Sequence, residues 1–282
     1  PSLKTVMAKV KPGMTYEEIA NELGVKTILE TRVDQVGNIV KITATLMDPA
    51  ADRPIGKPFK REQEFSNILM LQSELAQEIV RNVRAQVSKE EQGRLTRPQR
   101  KVDPRAYELV VEARRDFGQL TLDVSTSKTR VDSAIAKMRR AIDIESDNAS
   151  YYATLGDMYE QAIMYAVVKK SDVIEKMKAA VETALSLDPD SWETQRVAGD
   201  LAYQQYDFGA ALSHYARGLE LVPGNSILYV MRGYALMALS RFDEALVVFR
   251  RMIEVDSVAG KRLGFNIGLC YFFMHRYDDA IT

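Results

Sequence analysis

Two histidines, one cysteine and a few paired acids are the residues of this chain that could do chemistry. A metal centre needs His, Cys or carboxylate ligands at spacings that bring them together, and a nucleophile needs a base within reach. His214 and His275 have no Cys or carboxylate partner at metal-ligand spacing, and both fall within or at the edge of helical patterns, so they read as structural or solvent-facing. Cys270, beside Tyr271 in a tightly patterned helix, reads as a buried inert thiol, since no activating His is implied. Glu90-Glu91 and Asp278-Asp279 are paired acids of the kind general acid–base catalysis uses, but both pairs fall at helix starts, where anionic side chains favour the dipole. The sequon Asn148-Ala149-Ser150 reads as accidental. There is no G-x-x-x-x-G-K-[ST], no G-x-G-x-x-G and no H-E-x-x-H. Arg94, Arg97, Arg100 and Lys101 crowd around Pro98, yet no aromatic residues are interleaved for base stacking, so the patch reads as a solvated basic linker. These observations predict a chain that is not an enzyme and takes no cofactor or metal.

With 282 residues, the chain has room for one large domain or two ordinary ones. Hydrophobic residues make up 46% and charged residues 27%, and 38 Lys and Arg stand against 39 Asp and Glu. Such a balance gives no general attraction to nucleic acid or anionic lipid. One cysteine allows no internal disulfide framework. No apolar run approaches the ~20 residues that cross a bilayer, and Pro1 to Val10 lacks the charged start and apolar centre of a signal peptide. The start carries no Met, and Asp278 to Thr282 stops within a helical pattern, so the chain reads as a piece of a longer protein. The expected compartment is the cytoplasm, or the periplasm if an upstream signal or transmembrane segment exists.

The elements come in two styles. Leu3 to Val10 reads as a short strand, and Thr15 with Glu18 has the spacing of a capping box. Gly24 stands where a left-handed C-terminal cap is wanted. From Lys26 to Asp48 the apolar period is two: Leu29, Thr31 and Val33 share one face, and Val40, Ile42, Ala44 and Leu46 share another. Gly37-Asn38 between the runs predicts a hairpin turn. Ile55 to Arg61 reads as an edge strand, because Pro54 and Pro58 suit a sheet margin. Ser66 is expected to cap a helix with Ile68, Leu71, Leu75, Ile79, Val83 and Val87 on its apolar face. The order is β-α-β-β-β-α, a small α+β domain over 1–88, followed by a basic linker over 89–104.

From Pro104 onward the pattern is helical, and it repeats. Gly199, Ala211, Tyr215, Gly218 and Pro223 recur 34 residues later as Gly233, Ala245, Phe249, Met252 and Ser257. A third copy begins with Gly268, Tyr271, Tyr277 and Ala280. A small residue in the first helix lets the second approach, with the alanine as the other side of that contact. The aromatic four residues after the alanine is expected to fill the space between neighbouring repeats. Upstream, Tyr152, Leu155, Gly156 and Tyr159, then Ala184 and Pro189, mark a stretched unit. Tyr107, Leu109, Ala113, Ala134, Met138 and Ala141 mark another. The extra residues fall at 120–129 and 164–172 and are expected to lengthen helices or project as loops. The units are 105–148, 149–191, 192–225, 226–259 and a partial 261–282.

The stretch from Gly156 to Ala280 resembles the tetratricopeptide repeat family. The resemblance implies an all-α right-handed solenoid whose inner groove binds peptides or protein segments. In that family the groove is lined by the second, fifth, ninth, twelfth and thirteenth residues of each first helix. These positions fall on Glu193, Arg196, Asp200, Tyr203 and Gln204, then on Ile227, Val230, Tyr234, Met237 and Ala238, and last on Arg262, Phe265, Leu269, Phe272 and Phe273. The Lys/Asn/Arg set that clamps a C-terminal carboxylate in chaperone-binding members is missing. The lining changes from polar to apolar along the solenoid. That apolar end suits either a core covered by further repeats or a partner chain, or a surface for an amphipathic helix.

Residues 19–30 (I-A-N-E-L-G-V-K-T-I-L-E), 40–48 (V-K-I-T-A-T-L-M-D) and 68–80 (I-L-M-L-Q-S-E-L-A-Q-E-I-V) resemble a second family. This is the TolB-like α/β domain that precedes tetratricopeptide repeats in bacterial signalling proteins. The chain lacks that family's opening strand and helix. The resemblance implies that an upstream output module (a cyclase, a kinase or a winged-helix domain) would make this a regulatory portion of a signalling protein. The leading expectation is a scaffold that binds protein or peptide, with homodimerisation through the repeats as a further option and no nucleic-acid partner.

Overall fold

The computed structural model describes residues 10–82, 100–118, 124–255 and 263–281. The chain divides into two compact units, Pro1–Pro104 and Arg105–Thr282.

In the first unit, helix α1 (Tyr16–Leu23) starts on the expected box: the Thr15 hydroxyl accepts from the Glu18 amide, and the Glu18 carboxylate accepts from the Thr15 amide at 2.7 Å. Gly24 closes it in the left-handed conformation, φ +64°. Strands β1 (Ile28–Val36) and β2 (Ile39–Asp48) form the hairpin, with Val36 opposite Ile39 across the Gly37-Asn38 turn. The single edge strand expected over Ile55 to Arg61 is instead two: β3 (Arg53–Pro54) and β4 (Phe59–Glu64), both antiparallel to β2. Gly56 at φ +73° bends the chain between them, which a continuous strand does not tolerate. Ser66 does not cap the next helix. It lies in a 3-10 turn, Phe65–Asn67, and its hydroxyl bonds Glu64, while helix α2 runs over Ile68–Asn82.

Helix α2 packs on β2 and β4, burying Ile68 and Leu71. Val40, Ile42, Ala44 and Leu46 of β2 are buried accordingly. Leu29 and Val33 stand directly across from Leu46 and Ile42 but remain exposed on β1. The strand expected at Leu3, the rest of the α2 pattern at Val83 and Val87, and Glu90-Glu91, Arg94 and Arg97 lie outside the described residues. Within the stretch read as a linker, Val102 is buried and its amide donates to the Ser66 carbonyl at 2.9 Å.

The second unit is a run of helix pairs: α3 (Pro104–Phe117) and α4 (Val124–Ile144), α5 (Ala149–Met164) and α6 (Lys170–Leu187), α7 (Trp192–Gln204) and α8 (Phe208–Leu221), α9 (Ser226–Ala238) and α10 (Phe242–Val255), α11 (Gly264–Phe273) and α12 (Tyr277–Ile281). The extra residues of the early units lengthen helices: α4 has 21 residues and α6 has 18, against 14 in α8 and in α10. Helices α6, α8 and α10 each pack on their own first helix and on the next, and α4 packs on α5, so buried residues continue from Ala106 through Leu201, Leu228 and Cys270.

The repeat glycines do what close approach requires, but their partner differs from the expected one. A Cβ on Gly199 would collide with the Tyr215 ring, and one on Gly233 with the Phe249 ring. The aromatic is thus seated on the glycine of its own repeat. Gly218 makes the contact to the following repeat, where a Cβ would stand 2.9 Å from Leu228 Cδ1.

The four turns described inside the pairs share a feature that no glycine announces in the sequence. Ala166, Tyr206, Ser240 and His275 all have positive φ, and the following amide donates back to the first helix: Val167 to Ala162, Asp207 to Ala202, Arg241 to Leu236 and Arg276 to Tyr271. This is the Schellman closure made without glycine. Among the described residues no helix is long and apolar enough to cross a membrane.

Candidate functional site

The first helices α3, α5, α7 and α9 together line an open groove. Phe117, Trp192, Ile227 and Met231 give it apolar walls. Its floor is charged. Asp157 is the ninth residue of α5 and Asp200 the ninth of α7, so the repeat geometry brings them face to face across 43 residues of chain. Glu160, one turn after Asp157, joins them, and one oxygen of each of these three carboxylates lies within 4.8 Å of the others.

Arg196 holds two of the three. Its Nη2 meets Asp157 Oδ1 at 2.6 Å, and its Nη1 meets Asp200 Oδ2 at 2.7 Å. The remaining oxygens are also satisfied: Gln161 Nε2 donates to Asp157 Oδ2 at 2.9 Å, and the Tyr215 hydroxyl donates to Asp200 Oδ1 at 2.8 Å. Burial works against the Arg196 charge, but Asp157 and Asp200 more than offset it and keep the guanidinium firmly protonated. Asp200 is driven the other way. Its complete burial pushes the carboxyl up to about 6, although Arg196 and the Tyr215 hydroxyl pull it down. Glu160 is pushed up to about 8 by burial first, then by the charges of Asp200 and Asp157; Arg196 and a hydrogen bond from Gln204 offset only part of this. At neutral pH the floor therefore carries a carboxyl that keeps its proton.

The positions expected to line a groove are placed as follows. Arg196 and Asp200 are the ion-paired floor, and Ile227 is on the wall, half exposed. Tyr203 is partly buried and meets the Phe208 ring edge-on at 5.1 Å. Val230, Tyr234 and Met237 are partly buried against the core of the 226–259 repeat, with Tyr234 edge-on to Phe249 at 6.2 Å. Leu269 is partly buried, and Phe265 is 74% exposed. Phe273 stacks on Phe242 of α10 at 5.6 Å, so its ring joins consecutive repeats, while Phe272 leans on Tyr277 at 5.7 Å. Asp157, Glu160, Trp192 and Met231 were not anticipated. Counting the same groove positions through the stretched 149–191 unit would have placed Asp157 and Glu160 there, at its ninth and twelfth residues.

The residues first inspected for chemistry have ordinary partners. His214 Nδ1 lies 2.9 Å from Gln195 Oε1, and burial lowers its pKa. Cys270 is fully buried, which pushes its thiol up to about 11, the direction that makes it unreactive. Asn148 precedes α5, is buried and donates to Glu145.

No family model matches the chain. It is 26% identical over 178 residues to Hsp70-Hsp90 organizing protein 3 of Arabidopsis thaliana, covering 63% of this chain and 30% of that protein. It is 30% identical over 91 residues to stress-induced-phosphoprotein 1 of Caenorhabditis elegans, covering 32% and 28%. A putative adenylate cyclase 3 of Rhizobium meliloti (strain 1021) is 27% identical over 139 residues, covering 49% and 22%. The chain thus spans 30% or less of the length of each of these curated relatives. Among solved structures, a thermophilic TPR protein of Thermus thermophilus, TTC0263, superposes with a TM-score of 0.50 at 14% identity, over 62% of this chain and 86% of that one. The helical unit therefore has the tetratricopeptide-repeat fold, preceded in the chain by a small antiparallel sheet.

Proposed function

We propose that the helical unit is a protein-binding scaffold that takes a peptide or protein segment along the face of its first helices. The observation that carries this reading is the groove itself. Four successive first helices contribute to one concave surface, with apolar walls and a floor of polar groups fixed by ion pairs. Such a surface fits an extended or helical segment better than a small molecule. Similarity to Hsp70-Hsp90 organizing proteins, whose name describes assembly with other proteins, supports it.

Selection of peptides from a random display library on the intact chain tests the proposal. Binders recovered this way should lose affinity when Trp192→Ala and Ile227→Ser are introduced together. They should keep it with Val247→Ser, an exposed change on the second helix α10. Binders indifferent to the groove pair and sensitive to Val247 would place the binding surface on the second helices and overturn the reading.

A second reading is favoured by one observation, the similarity to a putative adenylate cyclase. In it, the chain is a regulatory portion of a bacterial signalling protein, acting in the cytoplasm, and the groove receives the segment that controls an output module. Both readings use the same surface.

A further inference from the structure

We propose that the segment held in this groove presents a lysine or arginine between apolar residues, with the cationic side chain seated against Glu160 on the groove floor. This rests on the groove reading above and adds the chemistry of the occupant.

The groove is complementary in charge to such a side chain. The groove lining carries Arg114 and Arg196 against Asp157, Glu160 and Glu193, with Asp200 directly behind Arg196. Arg196 is consumed by Asp157 and Asp200, and Arg114 donates to the Thr154 hydroxyl at 3.1 Å. Glu193 accepts from the Ser191 hydroxyl. Among the described residues, Glu160 is the one floor carboxyl without a cation at ion-pair distance. An anionic segment would meet a surplus of carboxylates, whereas a cationic one supplies the charge that the floor lacks. Phe117, Trp192, Ile227 and Met231 around it suit apolar neighbours of the basic residue and the methylene stem of its side chain.

Protonation gives the proposal a signature. Glu160 faces Asp157 on its own helix, Arg196, Asp200, Tyr203 and Gln204 on α7, and Tyr215 on α8. In the free chain it holds its proton up to about pH 8. A cation placed beside it favours the ionised form, so binding below that pH expels a proton. Affinity must then rise with pH, by up to about tenfold per unit for one linked proton, and level off above about pH 8.

The experiment takes peptides recovered by display selection on the intact chain and shown to lose binding in the Trp192→Ala, Ile227→Ser pair. Their sequences should be enriched in a Lys or Arg flanked by apolar residues. One such peptide, measured by calorimetry at pH 6.5 and 8.5 in two buffers of different ionisation enthalpy, should bind more tightly at the higher pH and release a proton at the lower. Replacing its basic residue with norleucine should weaken binding about tenfold or more at pH 8.5 and remove the proton release. Glu160→Gln mimics the protonated carboxyl, so the fold is kept, and it should make affinity independent of pH across this range. Groove-dependent peptides that are neutral or acidic overturn this inference while leaving the groove reading intact. An unchanged pH slope in Glu160→Gln does the same. A selection that yields no groove-dependent peptide overturns both.

Discussion

The 192–225 and 226–259 repeats share a glycine, a groove residue after it and a ring from the second helix. In the first the set is Gly199, Asp200 and Tyr215; in the second it is Gly233, Tyr234 and Phe249. In both, the ring is buried over the glycine, so the ring and the missing Cβ answer one packing demand. The hydroxyl answers a different one. Tyr215 carries it where Asp200 accepts it at 2.8 Å, and Phe249 lacks it where the groove residue is an aromatic met edge-on. Packing of the pair is therefore the same in these two repeats, while the polarity of the groove face changes at the position after the glycine.

The largest test of that contrast is at the fifth residue of each first helix, Arg196 in one repeat and Val230 in the next. Arg196→Ala leaves Asp157 and the buried Asp200 without their cation, and loss of one partner from a buried pair costs about 3–5 kcal/mol. Val230→Ala removes two methyl groups from a partly buried site and should cost on the order of 1 kcal/mol. Urea denaturation followed by circular dichroism separates the two. The Arg196→Ala deficit should also grow from pH 6 to pH 8.5. Without the nearby Arg196 charge, the carboxyls of Asp200, already raised to about 6, and Glu160, raised to about 8, relieve the cost by taking up protons only at the lower pH. Equal losses at the two positions, or a deficit independent of pH, would mean that Arg196 is not what holds the floor together.

A smaller effect is expected at the ring itself. Tyr215→Phe leaves an oxygen of the buried Asp200 without its donor, a loss of about 1–3 kcal/mol. Phe249→Tyr adds a hydroxyl beside Tyr234, where no carboxylate occupies the equivalent position, and should also destabilise. Melting temperatures of the two single variants decide the matter. If Tyr215→Phe melts like the parent, the hydroxyl is incidental and the polar and apolar repeats differ only by chance.

What was legible in the sequence follows the range of the interaction involved. The Thr15–Glu18 box, the Gly24 cap and the hairpin at Gly37-Asn38 are made by residues a few positions apart, and each stands where its local spacing put it. The glycine–ring contacts were legible as a 34-residue recurrence, but the alanine was expected opposite the glycine where the ring stands, because recurrence alone does not tell which side chain of the second helix the glycine faces. The break between β3 and β4 was missed because Gly56 was passed over inside a run that otherwise reads as extended. The carboxylate floor was missed for a third reason. Asp200 stood among the expected groove positions, but its partner Asp157 is a polar residue 43 positions earlier, and nothing in its neighbours marks it as part of the same site. Only the register of the stretched repeat puts them on one face.

The turns inside the pairs allow the finest version of the comparison between the two repeats. Tyr206 and Ser240 occupy the same left-handed position, φ +64° and +58°, a conformation that costs an L-residue roughly 1–2 kcal/mol. Glycine would remove that strain but loses more freedom on folding, roughly 0.5–1 kcal/mol, so the net gain at a site with no other role lies between zero and about 1.5 kcal/mol. Ser240 is exposed, and Ser240→Gly should raise the melting temperature by about a degree or two. Tyr206 has another role: the Lys170 ammonium lies 4.1 Å from its ring centroid, and Phe208 meets it edge-on at 6.3 Å. Lys170 also donates to the Gln204 carbonyl at the end of α7, so the ring sits over a cation that ties the 149–191 repeat to the next. An exposed cation–π contact is worth about 0.5–1 kcal/mol, enough to cancel the relief of strain. Tyr206→Gly should therefore leave the melting temperature unchanged or lower it. A gain at Tyr206 equal to that at Ser240 would show that the ring contributes nothing, and that both turns are simply strained positions which glycine suits better.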